Sequence, residues 1–265
     1  MPIDPADPLQ LASLLRRHRI TLKRRLGQNF LIDPAMRDAI ADAAGARRED
    51  LVLEVGAGVG TLTIALASRA GRVVAVELDR DLLPALHEVT RESANVEIVE
   101  GDILRLDVNG DIVAGNIPYN LTGALIRKLL DRPSRPRRLS LVVQKEVAER
   151  WTASKGASLA TVAVQVFAEA KIVFTIPASH FEPVPRVDSA LVVLEVRPKP
   201  AVEVDDLDAF FRFVEETFQF RRKQLGGVLA RKGFRGLAEL GIDPARRPQT
   251  LSLSEWEAIY RAVKS

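Results

Sequence analysis

Four short stretches of this 265-residue chain carry side chains able to do chemistry, and each stands directly behind an apolar run. Gly56-Ala57-Gly58-Val59-Gly60 follows the run over 51–55, and Glu77 closes 73–76. Gly101-Asp102 closes 96–99, and Asn116-Ile117-Pro118-Tyr119 follows Ile112-Val113-Ala114 and the terminator Gly115. Open α/β sheets bind ligands at the carboxyl ends of their strands, so four such stretches in succession share one address. Glycines let a ligand approach the backbone, and a helix opening at Thr61 supplies free N–H groups, which suits a nucleotide-containing ligand. The dinucleotide fingerprint needs its third glycine at the position of Leu62, so a pyrophosphate-binding NAD site is disfavoured. Glu77 is placed to accept from both ribose hydroxyls and Asp102 from an adenine amino group. Charged hydrogen bonds of that kind are worth roughly 1.5–3 kcal/mol.

Asn116, Pro118 and Tyr119 point to chemistry on an exocyclic amine. The amino nitrogen of adenine is a poor nucleophile because its lone pair is delocalised into the ring. Two carbonyl acceptors, the Asn116 side chain and the Pro118 backbone, would take its two N–H bonds and aim the lone pair at a methyl donor. The gain is orientation and preorganised dipoles rather than a strong base. Tyr119 would stack on the target base, at ~1–3 kcal/mol per base, once that base is flipped out or single-stranded. Taken alone, each stretch serves equally well as a cap, a turn or a core residue. Their order along the chain resembles that of S-adenosylmethionine-dependent methyltransferases, and an acidic cofactor side suits a sulfonium cation that carries no phosphate.

The elements that must position these groups are legible from pattern. Asp7-Pro8 and Asp33-Pro34 each read as N-cap and first residue of a helix, the first carrying Leu11, Leu14 and Leu15 and the second ending near Gly45. Strands are predicted over 51–55, 73–76, 96–99, 112–114, 139–143, 172–176 and 190–196. Helices are predicted over 61–70 (closed by Gly71), 80–92, 122–130, 146–151 and 158–168. This alternation argues a mainly parallel sheet with helices on both faces. Pro198-Lys199-Pro200 reads as a linker, and only helical patterns follow, the last opening with the capping-box spacing Ser254-x-x-Glu257. The expected fold is therefore α/β, a Rossmann-like sheet with a small C-terminal all-helical domain. Its expected parts are a basic N-terminal extension (1–26), a catalytic domain (27–198) and a helical domain (201–265).

Composition narrows the chemistry. There is no cysteine, and the three histidines (His18, His87, His180) stand far apart, so thiolate, zinc and Ser-His-Asp sites are disfavoured. No apolar run approaches the ~18 residues of a membrane span, and no signal peptide is visible, so a soluble cytoplasmic protein without a metal is expected. Net charge is only +3, but its distribution is uneven. The span 77–111 holds ten acids and three Arg, whereas bases cluster at Arg16–Arg25, Arg132–Arg138 and Arg221–Arg235, which suggests a polyanionic partner.

Seven motifs in order give a closer resemblance. They are Gly27-Gln28-Asn29-Phe30-Leu31, the segment 54–63, Glu77-Leu78-Asp79, Gly101-Asp102, Asn116-Ile117-Pro118-Tyr119-Asn120, the segment 143–150, and Phe181-x-Pro183-x-Pro185-x-Val187-Asp188-Ser189. From about Leu26 to Leu253 the chain resembles the ribosomal RNA adenine dimethyltransferases, and most of all their bacterial small-subunit (16S) type. The resemblance implies a class I methyltransferase sheet, S-adenosyl-L-methionine as cofactor, and N6-dimethylation of two adjacent adenosines near the 3′ end of small-subunit rRNA in an assembling subunit. It implies that Asn29, Leu31, Gly56, Glu77, Asp102 and Asn116 contact the cofactor and that Phe181 faces the target base opposite Tyr119. Sequence alone would place Phe181 in the core. Arg24, Arg25, Arg221, Arg222 and Lys223 are expected to contact RNA, and the protein is expected to be a monomer. Two alternatives stand beside this reading: the large-subunit (23S) enzyme of the macrolide-resistance type, and a non-catalytic rRNA-binding assembly factor.

Overall fold

A computed structural model describes residues 3–23, 26–118, 121–154 and 158–264. Contacts divide the chain into two units, residues 1–148 with 171–196, and residues 149–170 with 197–265.

The first unit is built on a seven-stranded sheet. Its strands are β2 (Leu51–Val55), β3 (Arg72–Glu77), β4 (Val96–Glu100), β5 (Ile112–Asn116), β6 (Arg138–Gln144), β7 (Ala168–Ile176) and β9 (Ser189–Val196), in the spatial order β4-β3-β2-β5-β6-β9-β7. Strands β2 to β6 run parallel to their neighbours, and β9 returns antiparallel to β6. The consecutive residues Val73, Val74, Ala75 and Val76 are all buried, as expected for a central strand covered on both faces. The chain leaves β2 toward β3 and β4, then returns on the other side as β5, which makes the β2/β5 boundary a topological switch point. The β2–β5 ladder ends at Glu54–Ala114, while β5–β6 continues to Asn116–Val142. A crevice therefore opens past Val55. Gly115 lies inside β5 rather than terminating it, and glycine is needed there because a Cβ would fall 2.4 Å from the Val55 carbonyl oxygen.

The helices of this unit begin where their caps predict. In α1 (Pro8–Arg17) the Asp7 carboxylate accepts from the N–H groups of Leu9 and Gln10, both at 2.9 Å. In α2 (Pro34–Ala44) Asp33 accepts from Met36 N–H at 2.9 Å, and Gly45 ends the helix at φ 65°. Leu11 and Leu14 of α1 are buried with Phe30, Val59 and Leu82, so the start of the chain belongs to the core of this unit. Helix α3 (Thr61–Ala67) is shorter than expected, and Gly71 does not cap it. Glycine is needed at 71 because a Cβ would meet the Arg48 carbonyl oxygen at 2.2 Å. A 3-10 turn (Arg80–Leu82) leads into α4 (Leu83–Thr90), and α5 (Thr122–Leu130) follows the Asn116 segment. Two residues, β1 (Phe30–Leu31), pair antiparallel with two more, β8 (Phe181–Glu182), in a separate small sheet.

Helix α6 (Lys145–Thr152) follows β6, and the second unit takes in α7 (Leu159–Phe167), α8 (Leu207–Phe218), α9 (Leu225–Ala230) and α10 (Leu253–Lys264). The linear boundary expected near 198 is thus displaced. Residues 149–170 join the C-terminal helices, because α7 is apolar on nearly every face and its Phe167 stacks on Phe211 at 5.6 Å. The capping box of α10 is also displaced, two residues earlier. Ser252 N–H donates to Glu255 Oε2 at 2.7 Å and Glu255 N–H to Ser252 Oγ at 3.2 Å, while Glu257 pairs with Arg261. Arg246 on Glu255 selects that frame over the equivalent Ser254–Glu257 one. Among the described residues, no helix is long and apolar enough to cross a membrane.

Candidate active site

A pocket opens at the carboxyl ends of β2, β3, β4 and β5, walled by Gly56, Glu77, Asp102 and Asn116 and, from another side, by a continuous stretch from Leu26 to Leu31. All six residues expected to contact the cofactor therefore meet there, with Asn29 and Leu31 on the wall that faces the strand ends. Gly56, Gly58 and Gly60 all take positive φ (75°, 61° and 93°), the region that glycine alone enters freely. Four of the loop's N–H groups, however, are bonded within the protein. Those of Gly56 and Ala57 go to the Val76 carbonyl, that of Gly60 to Ala57, and that of Gly58 to Glu77 Oε2 at 2.7 Å. These donors are thus spent within the protein, whereas no side chain caps the helix that opens at Thr61.

Glu77 is buried, and its other oxygen accepts from Asp79 N–H at 2.8 Å. Burial pushes its carboxyl above the ordinary value of 4.5, and the backbone N–H bonds work against that. Each oxygen keeps a further lone pair for a ligand hydroxyl. Asp102 is half-buried beyond β4 and spends Oδ1 on Leu104 N–H at 2.9 Å. Leu78 and Ile103, next to these two acids, also line the pocket and supply apolar walls for a flat ring. Neither stands out in the sequence as a site residue, although each is a large apolar residue placed directly after a strand-end acid. Glu54 does not stand out either. It is buried at the pocket wall, and burial, aided by the nearby Glu77 charge, pushes its carboxyl up to about 7. Thr63 lies close enough to pull the value part of the way back, although its Oγ1 makes no well-formed hydrogen bond. Glu54 Oε2 and Thr61 Oγ1 likewise lack partners.

Asn116 ends β5 with its amide held. Nδ2 donates to the Asn29 carbonyl at 2.8 Å, which turns the acceptor Oδ1 to the opposite side. Asn29 in turn donates from its own Nδ2 to the Gly27 carbonyl at 3.0 Å. The Pro118 carbonyl accepts from Leu121 N–H at 2.9 Å and so retains one lone pair for a substrate donor. Phe181 is 2% exposed and packs in the core with Leu31, Ile40 and Val142, yet it also lines the pocket from β8. Tyr119, Arg24 and Arg25 lie outside the described residues.

The basic clusters divide. Arg221, Arg222 and Lys223 are exposed in the second unit, in the turn after α8. The middle cluster is engaged with its own chain. Arg137 pairs with Asp50 at 2.6 Å, Arg138 bonds Glu195 and the Ala43 carbonyl, and Arg132 holds Asn109. Each of these three cations thus has a partner within the fold, although Arg137 stays exposed. Lys23 and Arg17 are likewise engaged, with Asp79 and Glu88.

Among the described residues, the only charged groups that line the pocket are Glu54, Glu77 and Asp102. Three acids without a base fit a cationic, phosphate-free ligand, as S-adenosylmethionine is. An open sheet of this order, with that pocket at its switch point, defines a class I methyltransferase that uses S-adenosylmethionine. Residues 19–263 match the family described as ribosomal RNA adenine dimethylase, and the chain belongs to that family. It is 44% identical to ribosomal RNA small subunit methyltransferase A of Pelotomaculum thermopropionicum, over 96% of this chain and 95% of that one. It is 38% identical to the protein of the same name from Shouchella clausii, over 99% and 96%. Among solved structures it resembles the 23S rRNA methyltransferase ErmE (TM-score 0.71, 30% identity, 89% of this chain and 100% of that one). In fold it also resembles a dimethyladenosine transferase from Plasmodium falciparum (TM-score 0.74, 24% identity, 89% and 98%). The chain is accordingly an rRNA adenine dimethyltransferase.

Proposed function

We propose that the chain dimethylates N6 of two adjacent adenosines near the 3′ end of small-subunit (16S) rRNA, acting in the cytoplasm on an assembling subunit. The observation that carries the chemistry is the Asn116 amide, fixed by the Asn29 carbonyl at the wall of an all-acid pocket. When bound, the cofactor supplies a methyl group on a cationic sulfur. Glu77 and Asp102 hold its ribose and adenine, Gly56 lies along its methionine portion, and Asn29 and Leu31 close the pocket over it. Asn116 Oδ1 and the Pro118 carbonyl accept the two amine hydrogens of adenine and orient its lone pair. Phe181 and Tyr119 flank the base. The nitrogen proton becomes acidic once the methyl has moved, so no shifted histidine is required. Arg24, Arg25, Arg221, Arg222 and Lys223 contact the RNA backbone. The small-subunit assignment is supported by the names of the two relatives above and by their near-complete coverage.

Mass spectrometry of rRNA from cells lacking the gene tests this directly. Loss of two dimethyladenosines from 16S rRNA, restored by the wild-type chain and not by Asn116→Ala, is expected. Loss from 23S rRNA instead would assign the large-subunit activity. Unaltered rRNA would overturn the proposal.

A further inference from the structure

Asp79 is 4% exposed and lines no part of the pocket, yet it is surrounded by partners. Its Oδ1 lies 2.5 Å from Lys23 Nζ, and its Oδ2 accepts from Gln28 Nε2 at 2.7 Å. Lys23 N–H donates to Gln28 Oε1 at 2.7 Å, so the three residues form a closed ring of bonds. Lys23 Nζ also lies 2.5 Å from Asp81 Oδ2. From this ring the bonding continues inward: Asp79 N–H donates to Glu77 Oε1, and Glu77 Oε2 accepts from Gly58 N–H.

We infer that Asp79 is a positioning residue, and that Lys23, Gln28 and Asp79 form a latch which ties the Leu26–Leu31 wall across the cofactor pocket and fixes the Glu77 carboxylate. The inference rests on the reading of Glu77 as the group that holds the cofactor ribose. A carboxylate this deeply buried is stable as an anion only with its cation and donors in place. Burial pushes the Asp79 carboxyl up, but the Lys23 ammonium and the Gln28 amide hold it below the usual range. Loss of Lys23 leaves that charge uncompensated, and the segment that bears it shifts. Because Asp79 supplies one of the two N–H groups on Glu77, the shift is passed to the ribose carboxylate. The next residue of the same wall, Asn29, holds Asn116 through its carbonyl, so one segment sets the cofactor side and the acceptor side together.

Calorimetry with S-adenosylhomocysteine as probe, on the full chain, tests the latch. Lys23→Met and Asp79→Asn are each expected to weaken binding about tenfold or more. The double variant should bind within twofold of the weaker single one, and Lys23→Arg should recover most of the affinity. In methyl transfer the loss should fall on the cofactor KM rather than on kcat. Circular dichroism and thermal midpoints report whether each variant folds. Should Asp79→Asn fail to fold, Lys23→Met decides, since it alters only the partly exposed half of the pair. Affinities within twofold of wild type, or losses that simply multiply in the double variant, overturn the latch. Glu77→Ala separates the two ideas. If it too leaves affinity unchanged, the ribose reading fails; if it alone weakens binding, only the latch fails.

Discussion

Glu54 offers a quantitative check on the electrostatics of the pocket. Its carboxyl is displaced from 4.5 to about 7, mainly by burial, with the Glu77 charge adding to the effect. At roughly 1.4 kcal/mol per pH unit, that displacement is worth about 3 kcal/mol. The sign follows from which state binds the proton more tightly. The folded protein does, so the contribution is fully present below the unfolded value of 4.5, declines as pH rises through about 7, and is constant above it. Glu54→Gln keeps the shape and carries no charge at any pH. The stability of the wild type relative to this variant should therefore fall by about 3 kcal/mol between pH 4.5 and pH 8 in cofactor-free protein. The raised Glu77 is present in both proteins and largely cancels in the comparison. Urea denaturation followed by far-ultraviolet circular dichroism, at half-unit intervals of pH, measures the difference. Carbon-13 titration of glutamate carboxyls, assigned with the same variant, locates the midpoint. A wild-type-minus-variant difference that stays level across this range, or a Glu54 midpoint near 4.5, would refute the reasoning.

Asn116→Ala removes one of the six expected cofactor contacts, so it should leave cofactor binding largely intact by calorimetry and lose nearly all methyl transfer on immature small subunits; unchanged turnover would remove the amide from the mechanism. Gly115→Ala drives a methyl group against the Val55 carbonyl and should cost about 3 kcal/mol or more, read as a lowered thermal midpoint or loss of soluble protein. An unchanged midpoint would show that the two strands can part there. Phe181→Ala should cost about 3–5 kcal/mol as a core truncation, so Phe181→Leu, which keeps most of the volume, is the sharper probe of base stacking. A rise in KM for RNA with little change in midpoint is expected for Phe181→Leu, and wild-type kinetics would reduce Phe181 to packing. Neutralising Arg221, Arg222 and Lys223 together should shallow the log–log salt dependence of RNA binding by roughly 2–3. An unaltered slope would make that turn a solvated surface only.

The sheet was legible because its signals are local. Apolar runs of four to seven residues end at Gly, Glu, Asp or Asn, and Asp-Pro pairs announce α1 and α2. The pocket acids were legible for the same reason, since strand ends in a parallel sheet lie on one edge. What escaped was set by distant partners. The β1–β8 pairing is two residues long and joins Phe30 to Glu182, too short for any period to show. Both Ser252 and Ser254 stand three residues before a glutamate, and Arg246 breaks the tie from six residues upstream of Ser252. Arg132, Arg137 and Arg138 look in sequence like an RNA-binding patch. Only the folded chain shows Asp50, Glu195 and backbone carbonyls waiting for them. Lys23 stands in a basic cluster in the sequence, and its carboxylate partners are 56 and 58 residues away.

Glu54, Glu77 and Asp102, the only charged groups lining the pocket among the described residues, also bear on turnover. Before transfer the cofactor's sulfur is cationic, and afterwards it is a neutral thioether, while the protein's carboxylates are unchanged. Attraction that helps the fresh cofactor in is therefore withdrawn from the spent one without any movement of the chain. Two methyl groups on one nitrogen require at least one such exchange per adenosine, and the electrostatics favour replacement over retention each time. Added salt should accordingly weaken S-adenosylmethionine more than S-adenosylhomocysteine, narrowing the preference that lets the enzyme discharge its own by-product.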